Sequence, residues 1–336
     1  MFPSRFAPKI SETEQQALAA GTVWIERPIF AGRLNWKTIL KETYPTLTPE
    51  EQTFLDGPCE EVCRAVDPWL SQETLDLPLK AWDILKRERF FGLSLSQHRG
   101  GREFSALGVT AVVGKLASHS MPLSVAVLIP NSVGPGELIE RYGTDEQKDQ
   151  YLEALARGDE MPAFALTEPE AGSDAASITS RGRVYLDEGG EIKIELNWRK
   201  RYITLAPVAT LLGLAVVLDD PQDLLGAGVR PGITCLLVPT WLEGAVVGRR
   251  HDAMGIAFPN GPTEGRNVVV PPSSIIGGYA GAGRGWAMLM EALSAGRGLS
   301  LPGQSAGGLK RIARVVTAYT GVRRQFGSSI SRFEGF

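Results

Sequence analysis

Near residue 161 the apolar period of this chain changes, and no other feature of it limits the fold as much. Before that point apolar residues recur at helical spacing. Thr144-Asp145-Glu146-Gln147 has the form of a capping box, and Tyr151, Leu152 and Leu155 then share a face that ends near Gly158. Asp76 is placed to cap a helix with Pro78 in its first turn and Leu79, Trp82, Leu85 and Phe90 along one side. The tract from Ser105 to Ala126, rich in Ala, Val and Leu, reads as one buried helix.

After residue 161, Ile192, Ile194, Leu196 and Trp198 alternate with Lys193, Glu195 and Asn197, the pattern of a half-buried strand. Val184-Tyr185-Leu186 precedes it across Asp187-Glu188-Gly189-Gly190, which predicts a hairpin. Leu211 to Val217, Thr234 to Val238 and Asn267 to Val270 supply further short apolar strands. Past Gly285 helical spacing returns through Trp286, Met290 and Leu293, then through Leu309, Ile312, Ala313, Val316 and Tyr319. Pro302 is expected to kink or interrupt this helical tract. The expected fold class is therefore α+β: an N-terminal helical region over 1–160, a central β domain over 161–276, and an incomplete helical domain over 277–336. Ser331-Arg332-Phe333-Glu334 is a further capping box with two residues after it, so the chain reads as truncated relative to its fold. The face bearing Leu309, Ile312 and Val316 is then expected to lie exposed, where missing helices would pack.

The totals exclude several function classes. A 336-residue chain with 43% hydrophobic and 22% charged residues is ordinary for a soluble globular protein. A formal net charge of -3 gives no global case for binding nucleic acid or an anionic membrane. Arg199-Lys200-Arg201 and Arg323-Arg324 are only short basic clusters. Cys59, Cys63 and Cys235 form neither a disulfide framework nor a metal site, with His98, His119 and His251 scattered, so no metal is expected. The N-terminus lacks the apolar core of a signal peptide. The longest nearly apolar run, Leu205 to Leu218, is too short for a bilayer span. A cytoplasmic location, at most peripheral to the inner membrane, is expected. The glycines of 277–285 lack the spacing of a dinucleotide-binding turn.

One stretch asks for more than turn chemistry. In "FALTEPEAGSD", Phe164 to Asp174, Pro169 fixes φ and Gly172 permits positive φ. Yet Thr167 and Ser173 also place hydroxyls on both sides of a loop where Gly172 lets backbone N–H groups approach a phosphorylated or carbonyl-bearing ligand. The stretch resembles the flavin-binding signature of the acyl-coenzyme A dehydrogenases. Other tracts resemble that family in the correct order: "RYGTDEQKDQYLEALARGDE", "KRYITLAPVATLLGLAVVL", "GRRHDAMGIAFPNGPTEGRNVVVP", "GAGRGWAMLMEALSAGRGLSLPGQSAGG" and "AYTGVRRQFGSSISRFEG". The "SAGRGLSLP", "KRYITLAPVAT" and "ISETEQQALAAGTVWIE" tracts point to its bacterial long-chain branch, of FadE type.

What this resemblance implies is specific. The fold would be that of an acyl-coenzyme A dehydrogenase, and the activity a flavin-dependent α,β-dehydrogenation of long-chain acyl-CoA to trans-2-enoyl-CoA, the first step of fatty acid β-oxidation. The cofactor would be FAD. Phe164 to Ser173 would line the flavin and its phosphates, with Thr167 bonding the ring and Ser173 facing the pyrophosphate and the acyl thioester tail. Tyr202 and Thr204 would flank the flavin, Thr204 reaching N5. Arg297 would lie near the coenzyme A end of the substrate. Arg323 and Phe326 would touch the FAD of a neighbouring subunit, implying a homo-oligomer, and an electron-transferring flavoprotein would accept the electrons. The family's catalytic carboxylate usually lies far along the C-terminal bundle. In some members it instead precedes the position of Arg297, which here is Gly296. Glu291, six residues upstream of Arg297, is the one weak candidate in this chain. The implied alternative is a truncated, non-catalytic remnant that binds flavin or acyl-CoA or pairs with a partner. The sequence also departs from the family at Ser96 and Glu153, where Pro is usual, and at Glu103 and Glu170, where Gly is usual.

Overall fold

The computed structural model describes residue 15 and residues 25–132 and 134–334, with side chains at 26 and 293–297 excluded. Most of the N-terminal tract "ISETEQQALAAGTVWIE" therefore lies outside the described residues.

Helices precede the sheet. They are α1 (Glu26–Phe30), α2 (Trp36–Ile39), α3 (Pro49–Phe54), α4 (Glu60–Ala65), α5 (Pro68–Thr74), α6 (Leu79–Arg87), α7 (Ala106–Ala117), α8 (Met121–Ser132), α9 (Pro135–Tyr142) and α10 (Asp145–Arg157). The capping box of α10 forms as expected: Thr144 Oγ1 accepts from Gln147 N, Gln147 Oε1 accepts from Thr144 N, and Gly158 closes the helix at φ 73°. Three helical expectations fail locally. Asp76 does not cap α6, because its carboxylate accepts from the adjacent Leu77 N at 2.7 Å and Pro78 holds the N-cap position. The buried face of α6 is Ala81, Ile84 and Leu85; Leu79 is 83% exposed, and Phe90 falls in a separate 3-10 turn. The single helix expected from Ser105 to Ala126 is two, α7 and α8. They are separated at Ser118–Ser120, where Ser120 Oγ accepts from Leu123 N at the start of α8. Glu103, which stands where the family has Gly, sits at φ 55°, the left-handed region that Gly enters freely.

The sheet follows, with β1 (Pro162–Ala165), β2 (Arg181–Leu186), β3 (Ile192–Thr204), β4 (Leu211–Asp219), β5 (Gly232–Pro239), β6 (Ala245–Val247) and β7 (Asn260–Val270). Its order is β1-β4-β2-β3-β7-β6, with β5 pairing the free side of β4. β1 and β2 share one edge of β4 and both run parallel to it, while β2–β3 is the expected antiparallel hairpin. Apolar residues of this sheet and of the helical region merge into one buried cluster, and a second cluster gathers Leu138, Leu155, Phe164, Leu211 and Leu289.

A 38-residue helix, α11 (Gly285–Val322), then returns across the helical region. It continues through Pro302, so the interruption allowed for at that residue does not occur. Packing within the turns after the proline holds it: a Cβ at Gly307 would sit 2.0 Å from Gly114 O, so the α7 and α11 backbones touch, and Gln304 Nε2 donates to Ser124 Oγ at 3.1 Å. Beyond α11, β8 (Arg324–Gln325) and β9 (Ser328–Ser329) form a tight hairpin turning on Phe326 and Gly327, both at positive φ. The helix expected after Ser331 does not start within the described residues. Ile330–Arg332 is a 3-10 turn, and the Ser331 hydroxyl pairs with that of Ser329.

Candidate functional site

The loop leaving β1 is fixed from beneath by a buried ion pair. Glu168 is 3% exposed and Lys200, on β3, is fully buried. Lys200 Nζ donates to Glu168 Oε1 at 2.7 Å and to Leu166 O at 3.0 Å. Glu168 Oε1 also accepts from Ser180 N, and its Oε2 accepts from both the N–H and the hydroxyl of Thr179. Burial alone would raise the Glu168 carboxyl. The Lys200 ammonium and the Thr179 and Ser180 donors outweigh that and hold it at about 2. Burial lowers Lys200 to about 8 against the pull of Glu168, so both groups are charged at neutral pH. Arg201 N donates to Thr167 O, a second tie between loop and strand.

Above this pair the loop is open. Glu168 N donates to Ala171 O, closing it on Pro169 and Glu170. Gly172 and Ser173 are exposed. Gly172 does not use the positive φ expected of it, and a Cβ there would meet nothing within 4 Å. The hydroxyls of half-buried Thr167 and of Ser173 have no partner among the described residues. Phe164 lies below the loop, 8% exposed, and a Cβ on Gly213 of β4 would come within 2.6 Å of its ring.

β3 reaches the loop through an irregularity. Its register with β7 shifts between Lys200 and Ile203, and Tyr202 takes φ 56° there while Leu205 takes φ 68° just beyond. Such bulges re-aim side chains, and strained φ in bulky residues gathers at functional sites. Tyr202 is turned outward, half exposed, against the His251 ring at 4.6 Å and under the Arg201 guanidinium at 4.4 Å. Thr204 Oγ1 accepts from Asn260 Nδ2 at 3.2 Å. Asn260 Oδ1, His251 Nε2 and Arg250 Nη2 are buried without a hydrogen-bond partner among the described residues.

The structure thus brings Phe164, Thr167, Tyr202 and Thr204 to one end of the sheet, with Ser173 on the loop over it. Arg323 and Phe326 lie past the end of α11 instead, both exposed, Phe326 at 94% and edge-on to Phe333. The Arg297 side chain is outside the described residues. Glu291, on α11, is exposed and accepts from the Tyr142 hydroxyl at 2.5 Å, a brace between α9 and α11. Burial and that carboxylate push Tyr142 up to about 12.

Between α9 and α11 lies a cavity of about 200 Å3 walled by Leu95, Phe104, Val109 and Leu299 and reached by two carboxyls, Glu137 and Glu140. Burial raises Glu137 with only Arg141 opposing, and Glu140 Oε2 is buried without a partner among the described residues. Sequence reasoning missed both, although their three-residue spacing puts them on one face of a short helix beside Leu138 and Ile139. It also missed Lys200, whose place in the inward series Ile194, Leu196, Trp198 foretold burial. Nothing in the sequence singled out Asn260. Among the described residues no cluster of His, Cys, Asp and Glu could hold a metal, and no helix is long and apolar enough to cross a membrane.

Two domain models match in chain order: the acyl-CoA dehydrogenase N-terminal domain over residues 48–159 and its middle domain over 163–268. The 3-(aryl)acrylate reductase of Clostridium sporogenes is 30% identical across 84% of this chain and 69% of its own length. Protein HemX of Proteus mirabilis is 50% identical over 104 residues, 31% of this chain and 61% of that protein. The chain thus spans 61% and 69% of these two relatives' lengths. A solved acyl-CoA dehydrogenase complexed with FAD, from Bacillus anthracis, superposes with a TM-score of 0.73 at 21% identity, covering 87% of this chain and 47% of that one, a likeness of fold. Matched by both domain models, and related at 30% identity over most of its length to a known protein, this chain belongs to the acyl-CoA dehydrogenase family.

Proposed function

We propose that the protein is a flavin-dependent dehydrogenase of acyl-CoA thioesters, with FAD seated where the Thr167–Ser173 loop meets the end of β3. The observation that carries this reading is the convergence of two independently constrained segments on one set of unsatisfied polar groups. The buried Glu168–Lys200 pair fixes the loop, and the Tyr202 bulge re-aims the strand. The hydroxyls of Thr167 and Ser173, without partners among the described residues, and the half-exposed ring of Tyr202 beside the Thr204 hydroxyl suit a polar ring edge and its phosphates, so the residues present fit a flavin.

Thr167, Tyr202 and Thr204 would hold the ring, and Ser173 the phosphates and the thioester end, with Phe164 supporting them from below. When bound, FAD would supply the acceptor for the β-hydride of the acyl chain, and the α-proton would have to go to a carboxylate, for which Glu291 is this chain's candidate. The protein's part is to place the thioester, exclude water and stabilise charge on its carbonyl through aligned hydrogen bonds. The apolar wall of the α9–α11 cavity suits an acyl chain. The long-chain preference rests on the resemblance of the quoted tracts. Exposed Phe326 on its strained hairpin, with Arg323, suits a surface covered by a second copy, so a homo-oligomer is expected, with an electron-transferring flavoprotein as acceptor.

The second reading is a non-catalytic flavin- or acyl-CoA-binding or partner-pairing remnant. It is favoured by the engagement of Glu291, six residues before Arg297 in the sequence, with the Tyr142 hydroxyl. An anaerobic titration of the FAD-supplemented chain with a long-chain acyl-CoA separates the two. Bleaching of the visible flavin band is expected. A bound flavin that stays unbleached would favour the remnant, and failure to retain flavin would overturn the dehydrogenase reading and leave only an acyl-CoA-binding or partner-pairing remnant.

A further inference from the structure

We infer that Asn260 is a positioning residue: through Thr204 it directs a hydroxyl proton toward the bound flavin. This inference rests on the flavin reading above.

Thr204 and Asn260 face each other directly across β3 and β7. The amide Nδ2 donates to Thr204 Oγ1 at 3.2 Å. A hydroxyl that accepts a bond still has one proton to give, and among the described residues that of Thr204 is given to nothing. Without the amide, the hydroxyl could turn its proton inward and present only lone pairs to a ligand.

The backbone holds the amide in place from both sides. Leu205 N donates to Pro259 O and His251 N donates to Asn260 O, each at 2.8 Å, so the residue is pinned to the end of β3 and to the segment that stacks on Tyr202. Asn260 is 3% exposed, and its Oδ1 is left without a partner. An apolar side chain would spare the fold that buried, unsatisfied oxygen, and an amide here is therefore poor structural chemistry. It is good site chemistry, because an acceptor-only side chain in the same place would reverse the hydroxyl.

That last contrast is the test. Asn260→Asp keeps the shape but, ionised, can only accept from Thr204; Asn260→Leu removes the bond. The full chain of each variant is titrated with FAD, following flavin fluorescence and the visible absorption bands, beside Thr204→Val and the Asn260→Leu/Thr204→Val double. Both Asn260 variants should bind FAD about tenfold more weakly, the value of one neutral hydrogen bond and its orphaned partner. They should shift the flavin bands in the direction that Thr204→Val does, and the double should be no worse than Thr204→Val alone. The melting midpoint of cofactor-free Asn260→Leu should stay near that of the unsubstituted chain, which a purely structural role of the amide would not predict for a tenfold loss of affinity. If Asn260→Asp matches the unsubstituted chain in affinity and bands, or if the two single losses multiply in the double, the inference is overturned while the flavin reading stands. If the unsubstituted chain melts cooperatively but binds no FAD, both are overturned.

Discussion

Lys200 shows how little a residue's type says about its work. By composition it belongs to a basic triplet, yet Arg199 faces solvent while Lys200 is fully buried against Glu168. Buried pairs contribute little net stability when whole, because desolvation offsets attraction, but breaking one strands a charge. Lys200→Met should therefore lower stability by about 3–5 kcal/mol in chemical denaturation. Replacing Glu168 with Leu as well should recover much of that loss; if the double is as unstable as the single, the pair does more than neutralise itself. The sign of the pH response follows from the Glu168 carboxyl. It titrates near 2 when folded and at 4.5 in its ordinary state, so its contribution is complete above 4.5 and is lost as pH falls toward 2. Acid unfolding followed by circular dichroism should steepen in that window, and Glu168→Gln should flatten it. The parity of the β3 pattern made the burial of Lys200 legible in the sequence, but its partner was not, since Glu168 lies 32 residues away across a strand pairing.

At the scale of elements, periodicity was a sound guide to existence and a poor one to boundaries. The α10 helix and the β2–β3 hairpin stand where caps and turn residues put them, because those signals are local hydrogen bonds. The break between α7 and α8 is again a local hydrogen bond, Leu123 N to Ser120 Oγ, whereas the persistence of α11 through Pro302 was decided by packing against α7 and α8, which no local signal encodes. The exposed face on α11 is as expected: Leu309 is 64%, Ile312 57% and Val316 51% exposed, joined by Val315 and Tyr319. A continuous apolar face of this kind drives association. Substituting Leu309→Glu, Ile312→Lys and Val316→Glu together should convert associated species to monomer in sedimentation velocity. The melting midpoint should barely move, since exposed positions change stability by about 0.5 kcal/mol or less each. A large fall in the midpoint would mean that the face is already covered within the chain.

For the whole molecule, the sheet supplies the loop and the bulge of the proposed site, and the long helix walls the α9–α11 cavity. A ligand that binds only the folded state raises stability by mass action, so FAD at about 100 times its dissociation constant should add about 2.7 kcal/mol and several degrees to the melting midpoint. Nicotinamide dinucleotide at the same concentration should leave the midpoint unchanged; an equal rise with both would argue against a flavin site. The order helix, sheet, helix was written in the sequence as a change of apolar period, and the stretches bearing Thr167, Ser173, Tyr202 and Thr204 stood out in it because their motifs are short and contiguous. What only the tertiary structure decided is what holds those residues and what stands opposite them: the Lys200–Glu168 pair, the positive φ of Tyr202, the amide of Asn260 and the carboxyls of the α9–α11 cavity. Periodicity and caps are short-range properties that a sequence carries residue by residue. Burial, strain and the partner of a buried polar atom are set by chain segments distant in sequence and joined only when the chain folds.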